Sequence, residues 1–268
     1  MTAGPFARAT AVHGGNGAWH GEIAPTWDIA GNANGGYLLA IAARALAEEC
    51  GRPDPVTVTA HYLAPGRLGP VTVTTEVLKQ GRQLATGTAV LSDATRPLLA
   101  VVGSFGTPGG GGASPTMVRR ALPDMPPPDA CVPVVATDTF PPPFMGHVEI
   151  RLHPDDVGFA AGRKSGVPLI RGWLRLPEEE PMDGLALLCA ADALPPTIFN
   201  TDLPVAWTPT VELTVHVRAR PAPGWLLSTF ETRFISGGLL EEDGELWDST
   251  GVMVAQSRQL ALVPATPG

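Results

Sequence analysis

Two stretches of the chain are apolar nearly all round: GYLLAIAARAL, Gly36 to Leu46, and GLALLCAADAL, Gly184 to Leu194. Such a pattern predicts a helix enclosed on every side, not a surface helix with one buried stripe. Segments that alternate at period two follow each helix. VTVTAHYLAP (Val56 to Pro65) and VTVTTEVLKQG (Val71 to Gly81) follow the first, and TPTVELTVHVRARP (Thr208 to Pro221) and LLSTFETRFISGG (Leu226 to Gly238) follow the second. Both halves then close on a strand, a turn and a strand, LSDATRPLLAVVGSF (Leu91 to Phe105) and LWDSTGVMVAQSRQL (Leu246 to Leu260). Opening strands are expected at Ala18 to Ile23 in the first half, and at His147 to His153 and Leu169 to Leu176 in the second. The same segments in the same order mark a duplicated unit.

Period-two strands rich in Val and Thr present one apolar face, as an antiparallel sheet does. A curved sheet wrapped around one long buried helix satisfies both patterns. Two such units can join edge to edge and so cover exposed strand edges. The expected class is therefore α+β, a double hotdog of two tandem units. Residues 107–143 carry ten prolines and a run of four glycines, and neither periodicity holds there. They read as a Gly/Pro-rich linker between an N-terminal hotdog, residues 1–106, and a C-terminal hotdog, residues 144–268.

Composition excludes several classes. With 44% apolar and 16% charged residues, the 268-residue chain can bury a core despite 31 glycines and 29 prolines. The net charge of −8 offers no basic stripe, so nucleic acid is not an expected partner. No apolar run is long enough for a membrane span, and the opening MTAGPFARAT lacks the apolar core of a signal peptide. Three cysteines suggest reduced thiols and a cytoplasmic protein. The six histidines show no metal spacing, so no metal is expected, and there is no G-x-S-x-G or Walker loop.

NGGYLLAIAARAL, VTVTAHYLAPGRLGPVTVTTEVLKQGR and DSTGVMVAQSRQLAL resemble the acyl-CoA thioesterase II family of double-hotdog proteins, over about residues 19–106 and 147–263. The resemblance implies hydrolysis of an acyl-coenzyme A thioester without metal, cofactor or covalent intermediate; coenzyme A is part of the substrate. It also implies a homodimer of double hotdogs. An Asp, a Thr or Ser and a Gln would position a water. Matched residue by residue, these roles fall on Asp192, Thr210 and Gln259. Glu212 stands where the family often has Asp, and one extra residue lies between His216 and Pro221.

The residues support this reading by themselves. Asp192 lies in an apolar helix near the end set by Pro195 and Pro196, with Leu185 and Leu188 on its face. A carboxylate there opposes the helix dipole and, if buried, costs desolvation. Local stability gives no reason for it, whereas a buried acid has a raised pKa suited to general-base chemistry. A solvated Asp at a frayed helix end is the alternative. Gln259 and Thr210 can fix a water but cannot deprotonate it. The first-half positions matching Asp192, Thr210 and Gln259 are Arg44, about Asp54, and Ser104. Only one functional site per chain is therefore expected.

Asn34 is a candidate N-cap of the first helix, and Gly35 and Gly36 would let a substrate carbonyl approach its free amides. Gly35, Gly36 and the adjoining Tyr37 are thus the expected oxyanion and substrate-binding residues, with the base supplied by the other half. Close helix–sheet packing would explain the glycines equally well. Two other functions compete. A hotdog enoyl-CoA hydratase or dehydratase would need a His at a helix start, and neither helix contains one. A non-catalytic acyl-ligand-binding protein would need no triad.

Overall fold

The structure is a computed structural model that describes residues 3–109, 117–138, 140–177 and 180–264. The first half contains the short helix α1 (Pro5–Ala9), strands β1 (His13–Gly15) and β2 (Ala18–Ile23), and a small ribbon of β3 (Asp28–Ile29) and β4 (Asn32–Ala33). Helix α2 (Gly35–Cys50) follows, then β5 (Asp54–Tyr62), β6 (Gly69–Gln80), β7 (Ala85–Ser92) and β8 (Pro97–Gly106). The second half opens with β9 (Val132–Pro133), β10 (Glu149–Leu152) and β11 (Leu169–Arg175) and places helix α3 at Gly184–Ala190. It closes with β12 (Thr210–Val217), β13 (Leu226–Glu231), β14 (Ile235–Ser236), β15 (Leu239–Trp247) and β16 (Met253–Leu262).

One antiparallel sheet runs through both halves in the order β1-β2-β6-β7-β8-β5-β12-β16-β15-β13-β11-β10-β9, and β14 branches from β15. Outward from the centre, β5-β8-β7-β6-β2-β1 on one side repeats as β12-β16-β15-β13-β11-β10 on the other. The duplication expected from the sequence is therefore a repeat of topology. At the seam, β5 pairs with β12 from Thr57 opposite His216 to His61 opposite Glu212. The hydroxyls of Thr59 and Thr214 meet across it at 2.8 Å. Each unit thus covers the other's open edge.

Helix α2 is buried without interruption from Gly36 to Ala43. Asn34 caps its start, and Gly51, at φ 63°, closes its end. That left-handed position explains why a glycine follows Cys50. Helix α3 is shorter than its apolar pattern suggested, ending at Ala190 and not near Leu194. Pro195 and Pro196 disfavour helical geometry just before them, so the chain turns away at Ala191 and Asp192. The two helices pack on each other inside the sheet.

The second unit reaches back into the Gly/Pro-rich connection. Trp173 Nε1 donates to the Pro126 carbonyl at 2.8 Å, Cys131 is buried, and β9 pairs with β10. Residues 110–116 and 139 of the expected linker lie outside the described residues. Among the described residues, no helix is long and apolar enough to cross a membrane.

Candidate active site

Asp192 sits two residues past the end of α3, where its backbone N–H donates to the Cys189 carbonyl at 3.1 Å. Its carboxylate crosses to the other half. Oδ2 accepts the Gly36 N–H at 2.8 Å, in the first turn of α2. Asn34 completes the hold: its Oδ1 caps the helix by accepting the Tyr37 N–H at 2.8 Å. Its Nδ2 donates to the Asp192 carbonyl at 2.8 Å and to Oδ2 at 3.3 Å. One amide therefore caps the helix and anchors the carboxylate.

The glycines are required by close approach. A Cβ on Gly35 would stand 2.8 Å from Asp192 Oδ2 and 2.9 Å from Tyr62 Cε1. A Cβ on Gly36 would stand 2.9 Å from the Leu188 and Cys189 carbonyl oxygens and from Asp192 Cβ. Neither position leaves room for a methyl group.

Burial raises the Asp192 carboxyl to about 6, against the opposing pull of the Gly36 and Gly35 amides. The helix N-terminus favours its anion, so the group can be ionised near neutral pH yet remain basic enough to take a proton. Thr210 opens β12 and Gln259 lies on β16; Gln259 Nε2 donates to Thr210 Oγ1 at 2.5 Å. The β12–β16 register shifts between Thr210 and Glu212. This bulge leaves Val211 without a partner on β16, just ahead of the regular pairing from Glu212 to Val217.

Asp192, Thr210 and Gln259 line one cavity of about 480 Å³, together with Gly35 and apolar side chains that include Leu38, Phe199, Phe230 and Leu240. No Lys, Arg or His lines it among the described residues. A volume of this size suits a small-molecule ligand. Two expectations are corrected. Gly36 N–H, expected to face a substrate oxyanion, donates to Asp192 instead. Tyr37 lies outside the cavity lining. Its amide is spent on the Asn34 cap, its hydroxyl donates to the Ala9 carbonyl at 2.8 Å, and its ring stacks on Trp27 at 4.7 Å.

The sequence reading missed Glu242. It lines the same cavity from β15, directly opposite Gln259. Its Oε2 accepts the Thr197 N–H at 2.9 Å. Burial raises its carboxyl to about 7, and the Asp192 charge adds to the rise. Strand alternation gives it away: Leu240, Glu242, Gly244 and Leu246 share the inward face, and three of the four suit a core.

The first-half counterparts make no such site. Arg44 donates to the Thr10 hydroxyl at 3.1 and 2.7 Å, and the Ser104 hydroxyl meets Thr86 at 2.8 Å. Asp54 pairs with Arg220. Arg44, Asp54 and Arg220 border a second cavity of about 320 Å³ with Glu48 and Asp183. Two further cations have local partners: Arg120 pairs with Glu245 at 2.8 Å and Lys164 donates to the Leu203 carbonyl at 2.7 Å.

Known proteins share this fold. Residues 23–106 match the family model described as the acyl-CoA thioesterase N-terminal domain, and residues 128–263 match the C-terminal domain. A crystal structure from Thermobifida fusca YX, provisionally classed as a thioesterase II, superposes with a TM-score of 0.88 at 32% identity, covering 99% of each chain. A protein of unknown function with a hot dog fold from Alicyclobacillus acidocaldarius gives 0.87 at 22% identity, covering 99% of this chain and 100% of that one. The uncharacterized protein Rv0499 of Mycobacterium tuberculosis (strain ATCC 25618 / H37Rv) is 29% identical over 92% of this chain and 91% of its own length. With both domain models matched in order across a double hotdog, the chain belongs to the acyl-CoA thioesterase family.

Proposed function

We propose that the protein hydrolyses acyl-coenzyme A thioesters by direct attack of water, with Asp192 as general base and Thr210 and Gln259 holding the water. One observation carries the reading. A carboxylate from the second half, raised to about 6, is fixed at the helix start of the first half and shares a cavity with a hydrogen-bonded Thr–Gln pair.

The chemistry balances. Water oxygen bonds to the thioester carbonyl carbon while Asp192 takes its proton. The tetrahedral species then collapses, the C–S bond breaks, and the proton returns to the coenzyme A sulfur or to solvent. The products are a free acid and a thiol. Gly35 and Gly36 serve by holding the base in place, through their amides and their lack of side chains. Positioned general bases contribute roughly 10²- to 10⁴-fold in rate.

Apolar walls fit the acyl part of the substrate, which supports a role in lipid metabolism. Absence of His from the described lining favours hydrolysis over hydration or dehydration. Three free, buried cysteines fit a reducing compartment such as the cytoplasm. A homodimer of double hotdogs is the assembly we propose from the family resemblance.

Thiol release measured across acyl-CoA chain lengths, for the wild type and Asp192→Asn, tests the reading. Turnover by the wild type and its loss in the variant are expected. Acyl-CoA binding without thiol release would replace the enzyme with an acyl-ligand-binding protein.

A further inference from the structure

Glu242 has no role in the mechanism above, and its position is costly. It occupies an inward-facing place on β15 between Leu240 and Gly244, beside Phe230 and Phe199 in the cavity wall. A carboxyl group in such a wall needs hydrogen-bond partners. Thr197 N–H serves Oε2 at 2.9 Å and the Thr197 side chain adds a second polar neighbour, so the described partners of the carboxyl all come from one residue. No cation lines the cavity among the described residues, and the charges of Asp192 and Glu241 repel an ionised Glu242.

Its place is also specific. Glu242 stands opposite Gln259 in the β15–β16 ladder, and such cross-strand neighbours hold their Cβ atoms about 4.5–5.5 Å apart. Gln259 in turn touches Thr210. Glu242 therefore lines the cavity beside the Gln259–Thr210 pair to which the proposed mechanism assigns the attacking water.

We propose that Glu242 is a specificity-determining residue that selects acyl-CoA thioesters bearing a hydroxyl group within a few carbons of the thioester carbonyl. The inference rests on the thioesterase reading. A hydroxyl can donate to the carboxylate or accept from the carboxylic acid, so it satisfies Glu242 in either state. A saturated chain strips water from the carboxyl and gives nothing back. A second carboxylate on the acyl chain would meet like charge from both Glu242 and Asp192.

Matched substrate pairs test this: butyryl-CoA against 3-hydroxy- and 4-hydroxybutyryl-CoA, and decanoyl-CoA against its hydroxylated forms. The wild type should show kcat/KM roughly 10- to 100-fold higher for a hydroxylated member of each pair. Glu242→Met, which keeps length but loses hydrogen bonding, should bring the ratio to about one. Glu242→Gln, which keeps an acceptor for Thr197 and a donor for the hydroxyl, should retain most of it. A wild-type ratio of one or less at both chain lengths overturns the proposal. So does an unchanged ratio in Glu242→Met, because a residue that only braces Thr197 would affect both substrates alike. If Glu242→Met does not fold, the wild-type ratio decides. If no thioester at all releases thiol, the thioesterase reading fails instead, and the ratio of Kd values for the same pairs decides Glu242 by the same thresholds.

Discussion

The duplicated fold builds the same junction twice, where the start of one helix meets the end of the other, and the two junctions differ in a few side chains. At the first, the cap of α2 is Asn34, and the residue arriving from α3 is Asp192. At the second, the cap of α3 is Asp183, whose Oδ1 accepts the Ala186 N–H at 2.7 Å, and the matching residue on α2 is Arg44. An Asn cap accepts from its helix with one atom and donates to a carboxylate with another, whereas an ionised Asp cap can only accept. The first junction can therefore hold an anionic base, and the second would repel one. Around them, one cavity is mainly apolar, while the other is bordered by Arg44, Glu48, Asp54, Asp183 and Arg220. The repeated topology supplies two scaffolds, and side chains at cap and base give one of them the features of the proposed site.

The contrast is broken most severely by Asp192→Asn, which should lower kcat by roughly 10²- to 10⁴-fold. Arg44→Gln, at the matching position, should stay within about twofold of wild type. Stability should move the other way. The Asp192 carboxyl is raised to about 6 in the fold, above its ordinary 3.8. The stability linked to its neutral form is full below about pH 4 and lost as pH rises through about 6. Asp192→Asn should therefore be more stable than wild type by about 1–3 kcal/mol at pH 7.5, with the gain shrinking toward pH 4; thermal melts at both pH values check it.

A methyl group at Gly36 should cost about 1–3 kcal/mol, because its neighbours are two backbone carbonyls that cannot yield cheaply. Gly184→Ala meets mainly the Pro55 ring at 2.9 Å and should cost less. Urea melts of the two variants give the comparison. Asn34→Asp makes the first junction resemble the second. The helix cap survives, but the donor to Asp192 is replaced by a charge that repels it. We expect kcat/KM at pH 7 to fall by about twofold for a pKa rise of about one unit and about tenfold for about two, as the ionised base is depleted. At the other junction, Asp54→Asn breaks a pair whose Arg220 side chain is 68% exposed. It should change stability by about 1 kcal/mol or less and leave turnover unchanged.

How far the sequence could reveal this follows from which contacts are local. The strands and both helices were legible because alternation and unbroken apolarity are properties of neighbouring residues. Asn34 was legible as a cap for the same reason. Its second role was not, since Asp192 lies 158 residues away and nothing near Asn34 encodes the meeting. The glycines at 35 and 36 were legible as marking close approach, but not what approaches. Glu242 was hidden differently. The run LLEEDGE falls between the two segments assigned from alternation, yet β15 begins at Leu239 and passes straight through it. Once the strand is known, alternation with Leu240, Gly244 and Leu246 and pairing with Gln259 show which of its acids faces inward.

The pH dependence of kcat/KM for a hydrolysed acyl-CoA tests the central claim most directly, that Asp192 is a base tuned by its place at the junction. The account predicts low activity at pH 5, a rise with a midpoint near 6, and a plateau by about pH 7.5. A rate that is flat from pH 4.5 to 8, or that rises near pH 4 as for an ordinary carboxylate, would contradict it.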